Sequence, residues 1–380
     1  MDAFAPKITV VQYSAFTLGS ILERQPWGTR MVRYWILTLL LLVFDPRVAF
    51  AVAEPSDTAS TPTFQFLGIG GYLIRWRGEA LLIAPLFSHP SPFTLSMKPD
   101  EEKLSRKMPA ADDVTMLLIG HGHYDHLLDV PWIMQHRAPN AIAYGSVTVG
   151  RILRAVITPE RVVDAQSTMA KVNADQPADK GAWIESSRKH FRAMPIQSMH
   201  APHFAGYTLA SGSYDDDPDL TELPSTALGW KQGQVLAWMI DLLDDAGKTV
   251  LRIHYLDSAS TPPFGLPVLE DDGNAVDVQI LAVSSWQKVD DYPSVLLART
   301  KPRLVVLGHW ENFLVDDAKG AEDLPLQDID DMIKVTCKSV PSGKVIKPQP
   351  LDLIKLTLRS DATVNVAQEE ADSIPNLCEP

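Results

Sequence analysis

The sequence predicts an α+β sandwich, and three observations carry that expectation. Strand-like runs come in batches with helices between them, not in strict strand–helix alternation. Apolar residues make up 46% and charged residues 21% of the 380, the balance of a globular chain with a proper core. No internal repeat is visible, and no Gly-, Pro- or Ser-rich linker divides the chain beyond its N-terminal segment. A single domain over residues 54–380 is therefore expected.

The N-terminal segment is expected to be an export signal, with an uncleaved membrane anchor or a buried core helix as the alternatives. Tyr34 to Phe44 is an apolar run of 11 residues, too short for a membrane span of about 20 residues and suited to the core of a secretory signal. Arg30 and Arg33 precede it, and Ala49-Phe50-Ala51 and Ala51-Val52-Ala53 offer small-x-small cleavage patterns. Residues 1–53 are expected to be the signal peptide, with Met31 as an alternative start. The expected location is periplasmic, with no stable span after cleavage.

Strands follow at Thr63 to Phe66, Tyr72 to Arg77 and Ala80 to Ala84, with Gly68, Gly70, Gly71 and Gly78 as turns. The polar stretch Ser88 to Asp113 holds a short charged helix. Val114 to Ile119 reads as a buried strand. Helices are expected at Leu127 to His136 and Ser146 to Val156, with a short strand at Ala141 to Tyr144. Further strands are expected near Phe191–Ser198, Gln234–Leu242, Val250–Leu256, Val278–Val283 and Leu304–Leu307. Asp244-Asp245-Ala246-Gly247 marks a hairpin turn. Pro293 to Ala298 and Leu326 to Lys334 read as helices. Cys337 and Cys378 are an even pair that an oxidising compartment would allow to bridge, with two free thiols the alternative.

The chemistry is concentrated in His121-Gly122-His123-Tyr124-Asp125-His126, directly after the buried strand. Imidazole nitrogen and carboxylate oxygen are the donors that zinc takes where a site stays open for catalysis. Three more candidates each end a strand-like run: His200, Asp257 and His309. In this order the set resembles the metallo-β-lactamase superfamily, over roughly Phe64 to Phe313. The resemblance implies a four-layer αββα sandwich and two divalent ions, zinc by preference. It places His121, His123 and His200 on one ion, Asp125, His126 and His309 on the other, and Asp257 on both. Such a pair holds a bridging hydroxide near neutral pH. Asp125 and His203 are the side chains expected to act catalytically. His200 and His203 compete for the third ligand position, and the strand register favours His200.

The sequence departs from the family at Ala84, where an Asp before Pro is usual, and at Leu256, where a Gly usually precedes the bridging Asp. Gly68-Ile69-Gly70-Gly71, Gln197 to His203 and His309-Trp310 look like the branch holding ascorbate-6-phosphate lactonases and N-acyl-phosphatidylethanolamine phospholipase D enzymes. Phe204 to Trp230 reads as an insertion forming a substrate wall, with Phe204, Tyr207, Tyr214 and Trp230 but no Lys or Arg, and core packing is the alternative for these aromatics. Together with Trp310 and Phe313, this favours a neutral or partly apolar ester, lactone or amide. A metal-dependent phosphodiesterase and a non-catalytic exported metal-binding protein are the alternatives. A net charge of -13 and pI near 5.2 argue against nucleic-acid partners. The acidic run Asp215-Asp216-Asp217 with Asp219 reads as a solvated loop or a calcium loop, and His254 as a packing residue. His89, His136 and His190 read as ordinary loop or surface residues.

Overall fold

The computed structural model describes residues 61–91, 93–94, 96–173, 176–203, 206–269, 272–316, 320–358, 364–366 and 374–379. The expected signal segment lies outside them. The N-terminal half runs β1 (Thr63–Gly68), β2 (Gly71–Trp76), β3 (Glu79–Ile83), α1 (Glu101–Lys107), β4 (Val114–Leu118), α2 (Tyr124–Leu127), α3 (Val130–His136), β5 (Ile142–Gly145), α4 (Val147–Leu153) and β6 (Val162–Asp164). A small ribbon of β7 (Lys171–Asn173) and β8 (Gln176–Asp179) leads to β9 (Ile184–Glu185), β10 (Phe191–Ser198), β11 (Val235–Leu243) and β12 (Thr249–Tyr255). Then come β13 (Val278–Ala282), α5 (Ser294–Thr300), β14 (Leu304–Gly308), α6 (Ile329–Ser339), β15 (Lys344–Ile346), β16 (Leu353–Leu358) and β17 (Val364–Val366).

Two mixed sheets result, ordered β17-β16-β1-β2-β3-β4-β5-β6 and β15-β14-β13-β12-β11-β10-β9. In the first sheet the alternation of side chains divides the apolar residues between two faces. Tyr72, Ile74, Leu81, Ile83, Met116 and Leu118 join Trp238 and Ile240 of the second sheet in one core. Leu73, Ala80, Leu82 and Leu117 pack instead with Ile133 of α3 and Ile152 and Leu153 of α4. Leu296 and Leu297 of α5 and Met332 of α6 belong to the core built around the second sheet. This is the four-layer α+β sandwich that the sequence predicted. Truncating fully buried Leu118 to Ala would cost about 2–5 kcal/mol.

A buried ion cluster pins the register of the strands that lead to the site. Arg252 on β12 reaches Asp241 on β11 at 2.7 Å and Asp272 at 2.7 Å, and Arg192 on β10 meets Asp241 at 2.7 Å. A one-residue slip would turn every side chain to the opposite face, so this cross-strand lock fixes where His200 and Asp257 emerge.

Several boundaries differ from expectation. The helix predicted from Leu127 is broken in two, and its first turn takes in Asp125 and His126. Pro131 lies in the first turn of the second piece, which starts at Val130, where its missing N–H costs nothing. Buried Asp129 spends its carboxylate on the loop after β3, accepting from the N–H of Phe87 at 2.6 Å and of Ser88 at 3.0 Å. The last helix starts later than predicted because the Asp328 side chain caps it, accepting from the N–H of Asp331 at 2.8 Å. Cys337 of α6 is bridged to Cys378. No helix of the described residues is long and apolar enough to cross a membrane.

Candidate metal centre

Four candidate ligands lie just past the C-terminal ends of strands, His121 after β4, His200 after β10, Asp257 after β12 and His309 after β14, and His123, Asp125 and His126 follow His121 into the first turn of α2. Both sheets therefore deliver donors to one edge of the sandwich. Two glycines let the loop after β4 come close enough. A Cβ on Gly120 would lie 2.0 Å from an Asp257 carboxylate oxygen, and one on Gly122 would lie 2.3 Å from the Lys231 carbonyl. The loop is laced to β11 and the chain before it by Gly122 N–H to Gln232 O at 2.9 Å and Leu236 N–H to Gly120 O at 2.8 Å.

The side chains converge. His121 Nε2 lies 3.0 Å from His123 Nδ1, and His121 Nδ1 lies 3.0 Å from Asp257 Oδ2. Asp125 Oδ2 is 3.4 Å from His126 Nε2 and 3.3 Å from His309 Nε2, and His126 Nδ1 is 3.6 Å from Asp257. Donor atoms of His121, His123 and His200 all fall within 4.8 Å of one another, as do those of His121, Asp125 and His126. Buried His123 Nε2, His126 Nε2, His309 Nδ1 and Asp257 Oδ1 have no hydrogen-bond partner among the described residues. Buried polar atoms are rarely left so. A cluster of imidazoles and carboxylates with spare lone pairs fits divalent cations.

The electrostatics agree with that fit. Burial pushes His121, His123 and His126 down to about 3, and holds His200 well below its usual range. These imidazoles are neutral at pH 7, the form that binds metal. Burial opposes ionisation of Asp125, but His126 and His309 outweigh it and hold its carboxyl well below the usual range. Burial raises Asp257, partly offset by His126 and His309.

The backbone distinguishes the two histidines between which the sequence left a choice. His200 Nδ1 faces the carbonyl of Ala201 at 2.6 Å. A carbonyl only accepts, so Nδ1 carries the proton and Nε2 keeps a free lone pair. His203 Nδ1 instead accepts the N–H of Leu209 at 2.8 Å. Its proton is therefore on Nε2, which makes that atom a donor. The His203 ring stands 4.7 Å from His200 and 5.5 Å from His123.

The expected substrate wall is only partly realised. Trp230 is fully buried in the core under the outer helices, and Trp310 is buried with its indole N–H on Pro348 O. Their bulk fills space between layers instead of lining a pocket. Tyr214 packs beneath Lys231, whose Nζ lies 3.9 Å from the ring centre. Tyr207 is 76% exposed, its carbonyl accepting the N–H of His203. Phe204 lies outside the described residues. Phe313 does flank the centre, 5.2 Å from the His309 ring and 6.4 Å from Tyr124. The acidic run is tied to α4: Asp215 accepts from Thr148 at 2.6 Å, and Asp219 pairs with Arg151 and Arg154. That pairing, not calcium, accounts for those two carboxylates. His254 is buried against Gln279, as expected of a packing residue.

Two features were missed by sequence reasoning. Lys288, far along the chain, places its ammonium on the His203 carbonyl, so the region is not without a cation. Fully buried Tyr255 donates to Gly70 O at 3.0 Å, over the turn that covers His126. Neither had a local signal, because each acts through a contact with a distant loop.

No family model and no curated protein matches this chain. Among solved structures it is similar to a metallo hydrolase, Igni18, from the archaeon Ignicoccus hospitalis, at 15% identity and a TM-score of 0.47, over 79% of this chain and 100% of that one. It is also similar to a possible metal-dependent hydrolase from Veillonella parvula, at 13% identity and a TM-score of 0.44, over 77% of this chain and 99% of that one. CmlA, a diiron β-hydroxylase from Streptomyces venezuelae, gives 14% identity and a TM-score of 0.46, over 78% of this chain and 54% of that one. These are distant likenesses.

Proposed function

We propose that this chain is an exported metallo-hydrolase with a two-ion site. His121, His123 and His200 hold one ion, Asp125, His126 and His309 the other, and Asp257 both. The observation that carries the reading is the set of buried, neutral imidazoles whose spare lone pairs meet two carboxylates. The nitrogen and oxygen donor set suits zinc. When bound, such ions supply an ionised water near neutral pH and polarise the substrate oxygen that gains charge.

The protein's own groups divide the remaining work. Asp125, held ionised, is the acceptor that orients the attacking water. His203 would donate an Nε2–H hydrogen bond to the departing oxygen as negative charge grows there, with water supplying the proton, a role suited to a donor beside the centre and not a ligand in it. Phe313 and Tyr124 supply apolar surface beside His309, which supports a small neutral or partly apolar ester, lactone or amide. Lys288 on the His203 loop favours a second reading, a phosphodiester, because an ammonium there can meet a phosphate oxygen. The lactonase and phospholipase branch that the sequence resembles spans both chemistries. Export is supported by the Cys337–Cys378 bridge, since disulfides persist in oxidising compartments.

The test is turnover of a panel of lactones, esters, amides and phosphodiesters, with chelation and zinc restoration as controls. Activity lost to chelator and regained with zinc is expected. No turnover of any class by the metal-loaded protein would count against a hydrolase.

A further inference from the structure

The turn between β1 and β2 is held in an unfavourable backbone conformation, and what holds it also holds two of the candidate ligands. Ile69 has φ +54, a left-handed conformation that β-branched residues rarely adopt. Its peptide groups are gripped from both sides. Ile69 N–H donates to Glu311 Oε1 at 3.0 Å, and Ile69 O accepts the N–H of His309 at 2.6 Å. His309 is itself left-handed, with φ +54. The next residue, Gly70, lies against the His126 ring, where a Cβ would stand 3.2 Å from ring atoms. Its carbonyl accepts the Tyr255 hydroxyl at 3.0 Å.

We infer that Glu311 and Tyr255 are positioning residues for the second ion, an inference that rests on the two-ion reading above. Glu311 is 2% exposed, and its backbone is fixed by a bridge to Asp323 and by Asn312 N–H to Glu322 O at 2.8 Å. Its carboxylate is thus a rigid acceptor for a buried N–H that has no other partner among the described residues. Strained backbone persists only where its surroundings over-determine it. Without that acceptor the Gly68–Ile69 peptide is free to rotate and the left-handed φ of Ile69 can relax, which swings the following peptide, whose carbonyl anchors His309. Tyr255 acts on the same turn through Gly70, next to His126. Neither residue touches the His121, His123 and His200 group through these bonds, so the effect falls on one ion.

The experiment is a two-step zinc competition titration against a chromogenic chelator, with metal counted after dialysis. It compares the natural protein with Glu311→Gln, Glu311→Met and Tyr255→Phe. The amide oxygen of Gln can accept the same N–H, so Glu311→Gln is expected to keep both affinities. Met matches the length but cannot accept, and is expected to weaken only the second ion by about 10–100-fold. Tyr255→Phe is expected to weaken the same ion less. If Glu311→Met binds both ions as the natural protein does, or if Gln is as weak as Met, the inference is overturned. Should Glu311→Met fail to fold, Tyr255→Phe decides, and unchanged affinity for the second ion overturns it. A natural protein that takes fewer than two ions overturns the two-ion reading instead.

Discussion

The loop from Gly120 to His126 and the limb from Ser198 to His203 bring histidines to the same centre by different means. The first packs four donors into six residues, and glycines let it press against Asp257 and the Lys231 carbonyl. The second carries half-buried His200 and His203 just past a strand end, and single backbone hydrogen bonds set which ring nitrogen of each carries the proton. Donors set by a tight loop are fixed by local geometry. Donors set by a strand end depend on register and on the loops that follow.

The largest effect expected separates the shared carboxylate from both regions. Asp257→Ala should lower turnover by orders of magnitude and deplete both ions, because the residue faces His121 and His126 alike. Turnover assays with metal counting check this; retention of both ions would break the symmetry assumed here. Next, the limb's dependence on register is tested by Asp241→Ala, which removes the buried carboxylate that Arg252 and Arg192 share and leaves Arg252 to the half-buried Asp272. A loss of about 3–5 kcal/mol is expected in denaturant unfolding, with a smaller loss showing that the lock is weaker than its burial implies.

His203→Ala should cost roughly 100-fold in turnover while leaving metal content unchanged, whereas His200→Ala should empty one position. The reverse pattern would mean that the tautomers inferred from Ala201 O and Leu209 N–H are the wrong guide. The loop side is sharpened by pH. His121, His123 and His126 are pushed down to about 3 when folded and take up protons near 6.5 when unfolded. Between pH 6.5 and about 3 the unfolded chain binds more protons, so stability falls as pH falls. The slope is about 1.4 kcal/mol per pH unit for each proton. Thermal melts of chelated protein should show this decline and a plateau above pH 7; a flat profile would mean these rings are not neutral by burial.

Much of this was legible in the sequence where the signal was local. The apolar run before His121 and the six-residue motif located β4 and its loop, and alternating runs located most strands near the site. β16 was not legible, because it pairs with β1 across nearly the whole chain, Phe64 with Ile354. The choice between His200 and His203 was settled neither by spacing nor by residue type, since it turns on which backbone group each Nδ1 meets. Between wall and core, the sequence left the aromatics of the insertion and Trp310 open. Trp230 and Trp310 are large enough to serve a core or a pocket, and only packing decides which.

Metal content of the purified protein tests the two-ion centre most directly. Close to two equivalents of zinc or a similar divalent ion per chain are expected, measured by elemental analysis after reconstitution and dialysis. A chain that retains no transition metal under those conditions would contradict it.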